Sequence, residues 1–332
     1  MRTAFLIGLG VAACSPALVD RDWRFDVIAS LLAQVTLVAL VLGIWQAIFR
    51  RWIWAALFLI AATTAGSWMI RVPRADRATG ATAIEGRTSI RFLSMNVHSR
   101  NRSTEAILEL IAATDADIVV MVESSWYLMK ALSDSETITH RYPYRFGLES
   151  RNYGQIVVLS RFPGSDRPNE DAMQDLANHW GFRSGFLDIN GTMLRFAAVH
   201  APSPRTKTTW GYGLSTFDRL ATHFERVGSA VDKSGIPSVL IGDLNCTPTN
   251  TRSKHVNKTL GLRRAKPLGV WDGTYPSNLP WYARSSIDGA FVSEQVQVEH
   301  WKTVPIPGSD HRGIVVQISV PSTNGSSDTG ND

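Results

Sequence analysis

Eight polar residues stand where runs of Val, Ile, Leu and Phe begin or end. Asn96 closes the run that starts at Ile90, Glu123 follows Ile118–Val122, and His200 follows Met193–Val199. Asp243 and Asn245 follow Ser238–Ile241, Asp288 opens a late run, and Asp310 and His311 precede the last one. One polar residue in such a place usually turns or caps the chain. Acids, amides and imidazoles at so many strand ends converge on one pocket if those ends share an edge of a sheet. The chain has no G-x-S-x-G, no G-x-x-x-x-G-K phosphate cradle and no H-E-x-x-H. What remains is hard-ligand and proton-transfer chemistry. Glu123, helped by Asn96 or Asp310, offers oxygen ligands suited to Mg²⁺, Mn²⁺ or Ca²⁺. An ion so held neutralises charge developing on a phosphoryl group. His311 suits a general base, with an ordinary pKa of about 6.5. Asp288 is placed to accept the other imidazole N–H and fix the tautomer. Asp243 would orient the nucleophile, and Asn245 and His200 would donate hydrogen bonds to phosphoryl oxygens.

The ordered segments FLSMNVHSRN, ADIVVMVES, YGQIVVLSRFP, AAVHAPSP, VLIGDLNCTP, SSIDGAFVS and GSDHRGIVV resemble the endonuclease/exonuclease/phosphatase family. The G-D-x-N and S-D-H segments are the most specific of them. The resemblance covers about 88–320. It implies an α/β fold, a four-layered sandwich of two packed mixed β-sheets flanked by helices, with a divalent-metal phosphodiesterase or phosphomonoesterase site. By similarity, Glu123 is the main ligand of a Mg²⁺ (or Mn²⁺) ion, with Asn96 beside it and Asp310 near the metal or the histidine. His200 resembles the histidine that bonds phosphate and protonates the leaving group. Asp243 and Asn245 resemble the pair that positions water and phosphate, and Asp288 with His311 the acid–histidine pair. One departure is Gly289-Ala290-Phe291 after Asp288, where many members have a His. Residues 201–216 (APSPRTKTTWGYGLST) match no substrate pattern; Arg205, Lys207, Trp210 and Tyr212 within them are candidate substrate contacts.

Positioning these groups requires strands, and short apolar runs bounded by turn residues supply them. Those at 90–97, 118–122, 155–160, 185–189, 193–199, 238–241, 287–292 and 313–319 read as strands. Helical spacing appears at 103–113 and at 215–229, where Phe217, Leu220, Ala221, Phe224 and Val227 recur. Strands separated by helices and long loops imply two packed sheets with helices outside. Trp126, Tyr127 and Trp180 read as core or rim, His179 as a histidine without an identifiable partner, with bordering the pocket beside Trp180 as the lesser alternative, Cys246 as a packed small residue, and Arg263, Arg264 and Lys266 as solvated surface.

Ahead of this domain the composition changes. Residues 3–19, 27–49 and 52–70 carry no charge, and about 20 such residues cross a bilayer. They are expected to form three transmembrane helices within a membrane region at 1–72. Trp45, Trp52, Trp54 and Trp68 lie toward the ends of these spans, where amphipathic rings suit an interface. A polar linker at 73–87, a catalytic domain at 88–320 and a disordered tail at 321–332 complete the organisation. Arg2 and Arg50–Arg51 place the short basic segments in the cytoplasm and the domain outside. The expected location is thus a bacterial inner membrane, multi-pass, with a periplasmic domain. Val11-Ala12-Ala13-Cys14 also resembles a lipoprotein signal, although further apolar spans already anchor the chain. An ordinary cleaved signal peptide is a further alternative.

The whole chain has 332 residues, 34 Lys+Arg and 29 Asp+Glu. Eight of those basic and four of those acidic residues fall in 1–77, so the remainder carries 26 against 25. The positive balance is therefore no argument for nucleic acid. Two Cys exclude a disulfide scaffold and a Cys-based zinc site. The leading reading is a membrane-anchored metal-dependent phosphoesterase whose partners are the lipid bilayer and a phosphoester substrate, either nucleic acid or a phospholipid headgroup. No protein partner is expected. The alternatives are a lipid (sphingomyelinase-like) phosphodiesterase and a catalytically silent tethered binding module.

Overall fold

The computed structural model describes residues 2–77, 86–148, 155–165, 176–179, 181–228, 235–269 and 271–322. Trp180 and the tail beyond Ser322 lie outside these, as does most of the expected linker. In chain order the helices are α1 (Arg2–Cys14), α2 (Trp23–Ala29), α3 (Leu32–Ile48), α4 (Trp52–Ile70), α5 (Thr104–Thr114), α6 (Trp126–Asp134), α7 (Glu136–Arg141), α8 (Lys207–Gly228) and α9 (Thr251–Leu260). The strands are β1 (Arg87–Asn96), β2 (Ile118–Ser124), β3 (Tyr144–Phe146), β4 (Gln155–Ser160), β5 (Gly164–Ser165), β6 (Ala177–His179), β7 (Phe182–Ile189), β8 (Thr192–His200), β9 (Ser238–Asp243), β10 (Arg263–Arg264), β11 (Asp288–Val292), β12 (Gln297–Pro305) and β13 (Arg312–Pro321).

The two-residue period of a strand divides one apolar run between two cores. In β1, Ile90 and Phe92 face the centre of the sandwich while Leu93 and Met95 face α5 and α6. In β9, Val239 and Ile241 join the central core while Leu240 packs with Phe217 and Leu220 of α8. Strands buried on both faces lose the apolar–polar alternation of a half-exposed sheet. One sheet runs β12-β13-β1-β2-β4-β3 and the other β10-β11-β9-β8-β7-β5, with β6 on β7. Both are mixed: β1 pairs β2 and β8 pairs β9 in parallel, and the remaining pairs are antiparallel. Helices α5–α7 cover the first sheet and α8–α9 the second, which is the four-layered sandwich.

Three readings of the chain change in the structure. First, α8 starts at Lys207, well before the expected Ser215. Gly211 and Gly213 disguised its first turns. A Cβ at Gly213 would lie 2.0 Å from the guanidinium of the buried Arg252, so the glycine serves close packing. Second, Arg264 and Lys266 are not solvated surface: they are 1% and 7% exposed. Third, residues 73–77 are not a free linker. The Ala75 amide donates to the Arg264 carbonyl at 2.9 Å and the Arg264 amide to that of Pro73 at 3.1 Å. The segment thus covers the open edge beside β10.

The N-terminal region also departs from three spans. Helix α1 has 13 residues and runs into a tight turn at Ser15–Ala17, around Pro16. The stretch at 27–49 is split into α2 and α3, bent by 57°. Among the described residues, only α4 is by itself long and apolar enough to cross a membrane; α2 and α3 qualify only as one broken span. Helix α2 is tied to the catalytic domain. Asp26 in α2 is 2% exposed and serves the N-terminus of α9. Its Oδ1 accepts from the Thr251 amide at 2.7 Å and from Asn250 Nδ2 at 3.1 Å, and its Oδ2 from Trp210 Nε1 at 3.0 Å. A carboxylate there satisfies donors the helix leaves free and meets the positive end of its dipole. Asp26→Ala is expected to cost about 2 kcal/mol, because it strips a buried anion from three donors. Asp20→Ala, at an exposed position, should change stability by less than about 0.5 kcal/mol. Thermal unfolding of the two variants checks the contrast.

Candidate active site

Parallel pairing sets the site. Strands β1, β2, β8 and β9 end on one side of the sandwich, so Asn96, Glu123, His200 and Asp243 arrive together. His200 is registered against Asp243 across β8–β9, and Asp243 against Asp288 across β9–β11. His311 stands one residue before β13, which runs antiparallel to β1.

Local backbone detail finishes the positioning. A Cβ at Gly242 would lie 2.0 Å from the Val199 carbonyl oxygen. The glycine of G-D-x-N therefore lets β9 approach β8 closely enough to bring Asp243 beside His200. Glu123 holds φ at 56° where the register of β2 on β4 slips between Met121 and Ser124. A non-glycine residue in that region costs on the order of 1–3 kcal/mol and is kept where function needs it.

The side chains form one network. Asn96 Nδ2 donates to Glu123 Oε1 and to Asp243 Oδ2, both at 2.9 Å, while its Oδ1 accepts from the His98 amide at 3.0 Å. Asn96 thus braces two carboxylates rather than presenting its own oxygen between them. His200 Nε2 lies 3.5 Å from Glu123 Oε1 and 4.0 Å from Asp243 Oδ2. His311 Nδ1 meets Asp288 Oδ2 at 2.9 Å, in a pair whose side chains are 8% and 2% exposed. The Asn245 amide donates to Asp243 Oδ1 at 2.9 Å, and its side-chain Nδ2 to the Ala201 carbonyl at 2.8 Å. Asn245 so ties the end of β9 to the chain leaving β8.

Charge is unevenly distributed here. His200, aided by Asn96, holds the Glu123 carboxyl down at about 2 against the opposing effect of burial. Burial first, and repulsion from Asp288 second, push Asp243 up to about 6. Burial pulls the His311 imidazole down, but Asp288, Asp243 and Asp310 outweigh it and raise it to about 10. His200 is raised in the same way by Glu123 and Asp243.

Two sets of ligand-type atoms each lie within 4.8 Å of one another: Glu123, His200 and Asp243, and Asp243, Asp288 and His311. Asp310, exposed, belongs to neither set; its carbonyl accepts from the Ser277 amide at 2.7 Å. Of the expected substrate contacts, Trp210 is turned to Asp26, Arg205 and Lys207 are exposed, and Tyr212 is 53% exposed on the first turns of α8. Cys246 is buried, and burial raises its thiol to about 11. The exposed His179 packs its ring 4.7 Å from Phe182 and 5.1 Å from His223.

Residues outside the expected set hold the site in place. Ser309 Oγ donates to the Asn96 carbonyl at 2.7 Å and accepts from the His311 amide at 3.0 Å. Thr274 Oγ1 accepts from the Asp288 amide at 3.2 Å, and the Tyr275 ring packs 4.8 Å from that of His311. The S-D-H segment pointed to Ser309; nothing in the sequence distinguished Thr274 or Tyr275.

A two-sheet sandwich with carboxylates and imidazoles gathered at one end defines a hydrolase that works on phosphoester bonds. Residues 93–311 match the model of the Endonuclease/Exonuclease/phosphatase family, and the chain belongs to that family. Its members are divalent-metal-dependent phosphoester hydrolases. Among solved structures, a functionally unknown conserved protein from Enterococcus faecalis V583 is 16% identical, covering 69% of this chain and 99% of its own, with a TM-score of 0.50. Sphingomyelinase C from Streptomyces griseocarneus is 16% identical, with coverages of 69% and 99% and a TM-score of 0.49. A beta toxin from Staphylococcus aureus with bound magnesium ions is 15% identical, with coverages of 69% and 99% and a TM-score of 0.48. These likenesses are of fold. No curated protein matches the chain.

Proposed function

We propose that the chain is a bilayer-anchored phosphodiesterase that needs Mg²⁺ or Mn²⁺ and uses water activated by His311. The observation that carries this is the convergence of Glu123, His200, Asp243, Asp288 and His311 at one end of the sandwich. The donor set fits a hard divalent cation. Three carboxylates crowd one pocket, and burial together with repulsion from Asp288 already lifts Asp243. Glu123, fully ionised, is the residue that would hold the cation, with Asp243 Oδ2 beside it. Bound there, the ion supplies positive charge to the phosphoryl oxygens.

The chain's own groups account for the proton transfers. Asp288 holds His311 through Nδ1 and leaves Nε2 for the attacking water. His311 takes the water proton as the oxygen bonds to phosphorus, and it is competent once positive charge in the pocket offsets the carboxylates that raise it. Asp243, oriented by the Asn245 amide, accepts a hydrogen bond from the same water. The bond from phosphorus to the leaving oxygen breaks, and His200, kept protonated by Glu123 and Asp243, returns a proton to the alkoxide.

Anchoring is supported by α4, 19 residues long and without a charged residue, and by α3 packed beside it. Arg50 and Arg51 between α3 and α4 favour a cytoplasmic position for that turn and an outward position for the catalytic domain. The proximity of a bilayer favours a lipid diester over DNA, since the catalytic part is close to neutral. The test uses the full chain in detergent with bis-p-nitrophenyl phosphate. Hydrolysis should require Mg²⁺ or Mn²⁺, stop with chelator and return on re-addition of metal. Turnover that persists undiminished in chelator rejects the metal-dependent reading.

A further inference from the structure

A second concave site lies away from the catalytic residues, where the N-terminal helices meet the domain. It is a cavity of about 330 Å³, within the size range of small-ligand pockets. One wall comes from the helices and is mainly apolar, with Leu32 and Ala33 of α3 and Gly66, Met69 and Ile70 of α4, although Gln34, Thr36 and, just past α4, Arg74 also line it. The opposite wall belongs to the domain and carries Arg264, Lys266 and Arg284. No carboxylate is among its lining residues in the described part of the chain.

The cations are unevenly satisfied. Arg284 is paired with Asp272 at 2.9 Å. Arg264 donates through Nη2 to the Ser286 carbonyl at 2.9 Å and its guanidinium lies over the Phe291 ring, 5.4 Å from the centroid, with the Cys246 thiol nearby; its buried Nε and Nη1 have no oxygen partner among the described residues. Lys266 Nζ donates to the Asp272 carbonyl at 2.7 Å and to Ser286 Oγ at 3.2 Å. Neither Arg264 nor Lys266 has an ion pair among the described residues. Burial, with Arg264 nearby, lowers the Lys266 ammonium to about 7. Leaving a buried cation without its donors satisfied is costly, so an anion placed here is strongly favoured. Gln34 Oε1, also on the wall, is a buried acceptor without a partner and suits a hydroxyl.

We propose that this cavity binds an anionic phospholipid of the bilayer, its phosphate and hydroxyls against Arg264, Lys266 and Gln34 and its acyl chains along α3 and α4. The apolar wall continues into helix surface that needs cover: Val38, Val41, Ile60 and Ile70 are 45%, 56%, 61% and 66% exposed. A charged wall facing an apolar one selects an amphiphile, since a free anion leaves the apolar side empty. This rests on the reading of α4 as a bilayer anchor, and the experiment keeps the two apart.

The full chain is placed in nanodiscs of phosphatidylcholine with or without phosphatidylglycerol, then transferred to detergent and weighed intact by native mass spectrometry. One phosphatidylglycerol per chain should be retained, about tenfold in preference to phosphatidylcholine, as one added charge-assisted hydrogen bond implies. Lys266→Gln should erase that preference. Gly66→Leu should abolish retention, because a Cβ at Gly66 meets only Thr36 Cγ2 at 3.7 Å and the longer side chain enters the cavity. Both variants should keep metal-dependent hydrolysis of the soluble diester, which shows that they fold. Ile53→Phe, on the exposed face of α4, should retain lipid as the parent does. Equal retention of the two lipids by the parent, or unchanged phosphatidylglycerol retention in Gly66→Leu, overturns the proposal, as does displacement of the lipid by inorganic phosphate. Absence of the chain from the nanodisc fraction defeats the anchor instead, and loss of hydrolysis in the parent defeats the catalytic reading.

Discussion

His311→Ala should lower kcat at least about 10²-fold with little change in KM, because a positioned general base typically contributes 10²–10⁴-fold. The variant removes an imidazole whose partner, Asp288, is itself buried and held through its backbone amide by Thr274. Asp288→Asn is the companion measurement. It takes away the main group that raises His311, so the imidazole pKa falls, and an imidazole N–H faces an amide with no fixed polarity. Its effect on stability has a definite sign. His311 is raised in the folded state above its unfolded value of about 6.5, so the pair stabilises the fold fully below that pH. The contribution fades as pH rises through about 10. Asp288→Asn should therefore destabilise the metal-free protein by roughly 3–5 kcal/mol at neutral pH, as breaking a buried ion pair does, and by less in alkali. A titration of His311 by NMR should show its pKa falling when Mg²⁺ is added and recovering with chelator. Wild-type turnover in His311→Ala would remove the histidine from the mechanism.

The parts of this molecule legible in the sequence are those where chemistry and packing use the same residues. β1, β2, β8 and β9 are buried on both faces over most of their length, so they appear as predominantly apolar runs, interrupted only by Arg91 and Ser94 in β1 and Arg195 in β8, and the polar residue that ends each run marks the pocket. Strand β12 was hidden because a bulge between Val298 and His300 breaks its two-residue period: Val298 and Trp301, three positions apart, are both buried while Glu299, His300 and Lys302 face outward or lie part-buried. Two- and three-residue strands such as β5 and β10 carry no period to detect. The start of α8 was hidden by Gly213, a residue placed there by Arg252 nearly forty positions later. The buried Arg264–Lys266 pair was invisible for a similar reason. Nothing local in R-R-A-K shows that residues 73–77 will cover that edge. Among site residues, the types and strand positions identified the acids and imidazoles, but whether Asn96 ligates or braces depends on which way its amide turns. The His98 amide on one side and two carboxylates on the other orient that amide here, a tertiary arrangement no spacing encodes.

Glu123→Gln should abolish the stabilisation that divalent metal gives the protein. In the parent, a cation at 100 times its dissociation constant adds about 2.7 kcal/mol to folding, read as a rise in melting temperature with Mg²⁺. The variant keeps the side-chain shape and an oxygen, but not the charge that sets affinity for a hard cation. Linkage gives an independent reading without metal. The Glu123 carboxyl lies at about 2 in the fold, below its unfolded value of about 4.3. Its stabilisation is therefore present above that unfolded value and is lost as pH falls through about 2. The shift corresponds to roughly 3 kcal/mol at neutral pH, partly reduced by solvent at this 27% exposed side chain. Glu123→Gln should remove that contribution and flatten the acid limb of the stability curve. It should also lower the pKa of His200, which loses the carboxylate that raises it, and so weaken the proton donor for the leaving oxygen. Activity should consequently fall at saturating metal as well as at limiting metal. A variant that melts at the same temperature with and without Mg²⁺, while the parent shifts, places the cation at Glu123; equal shifts in both place it elsewhere in the pocket.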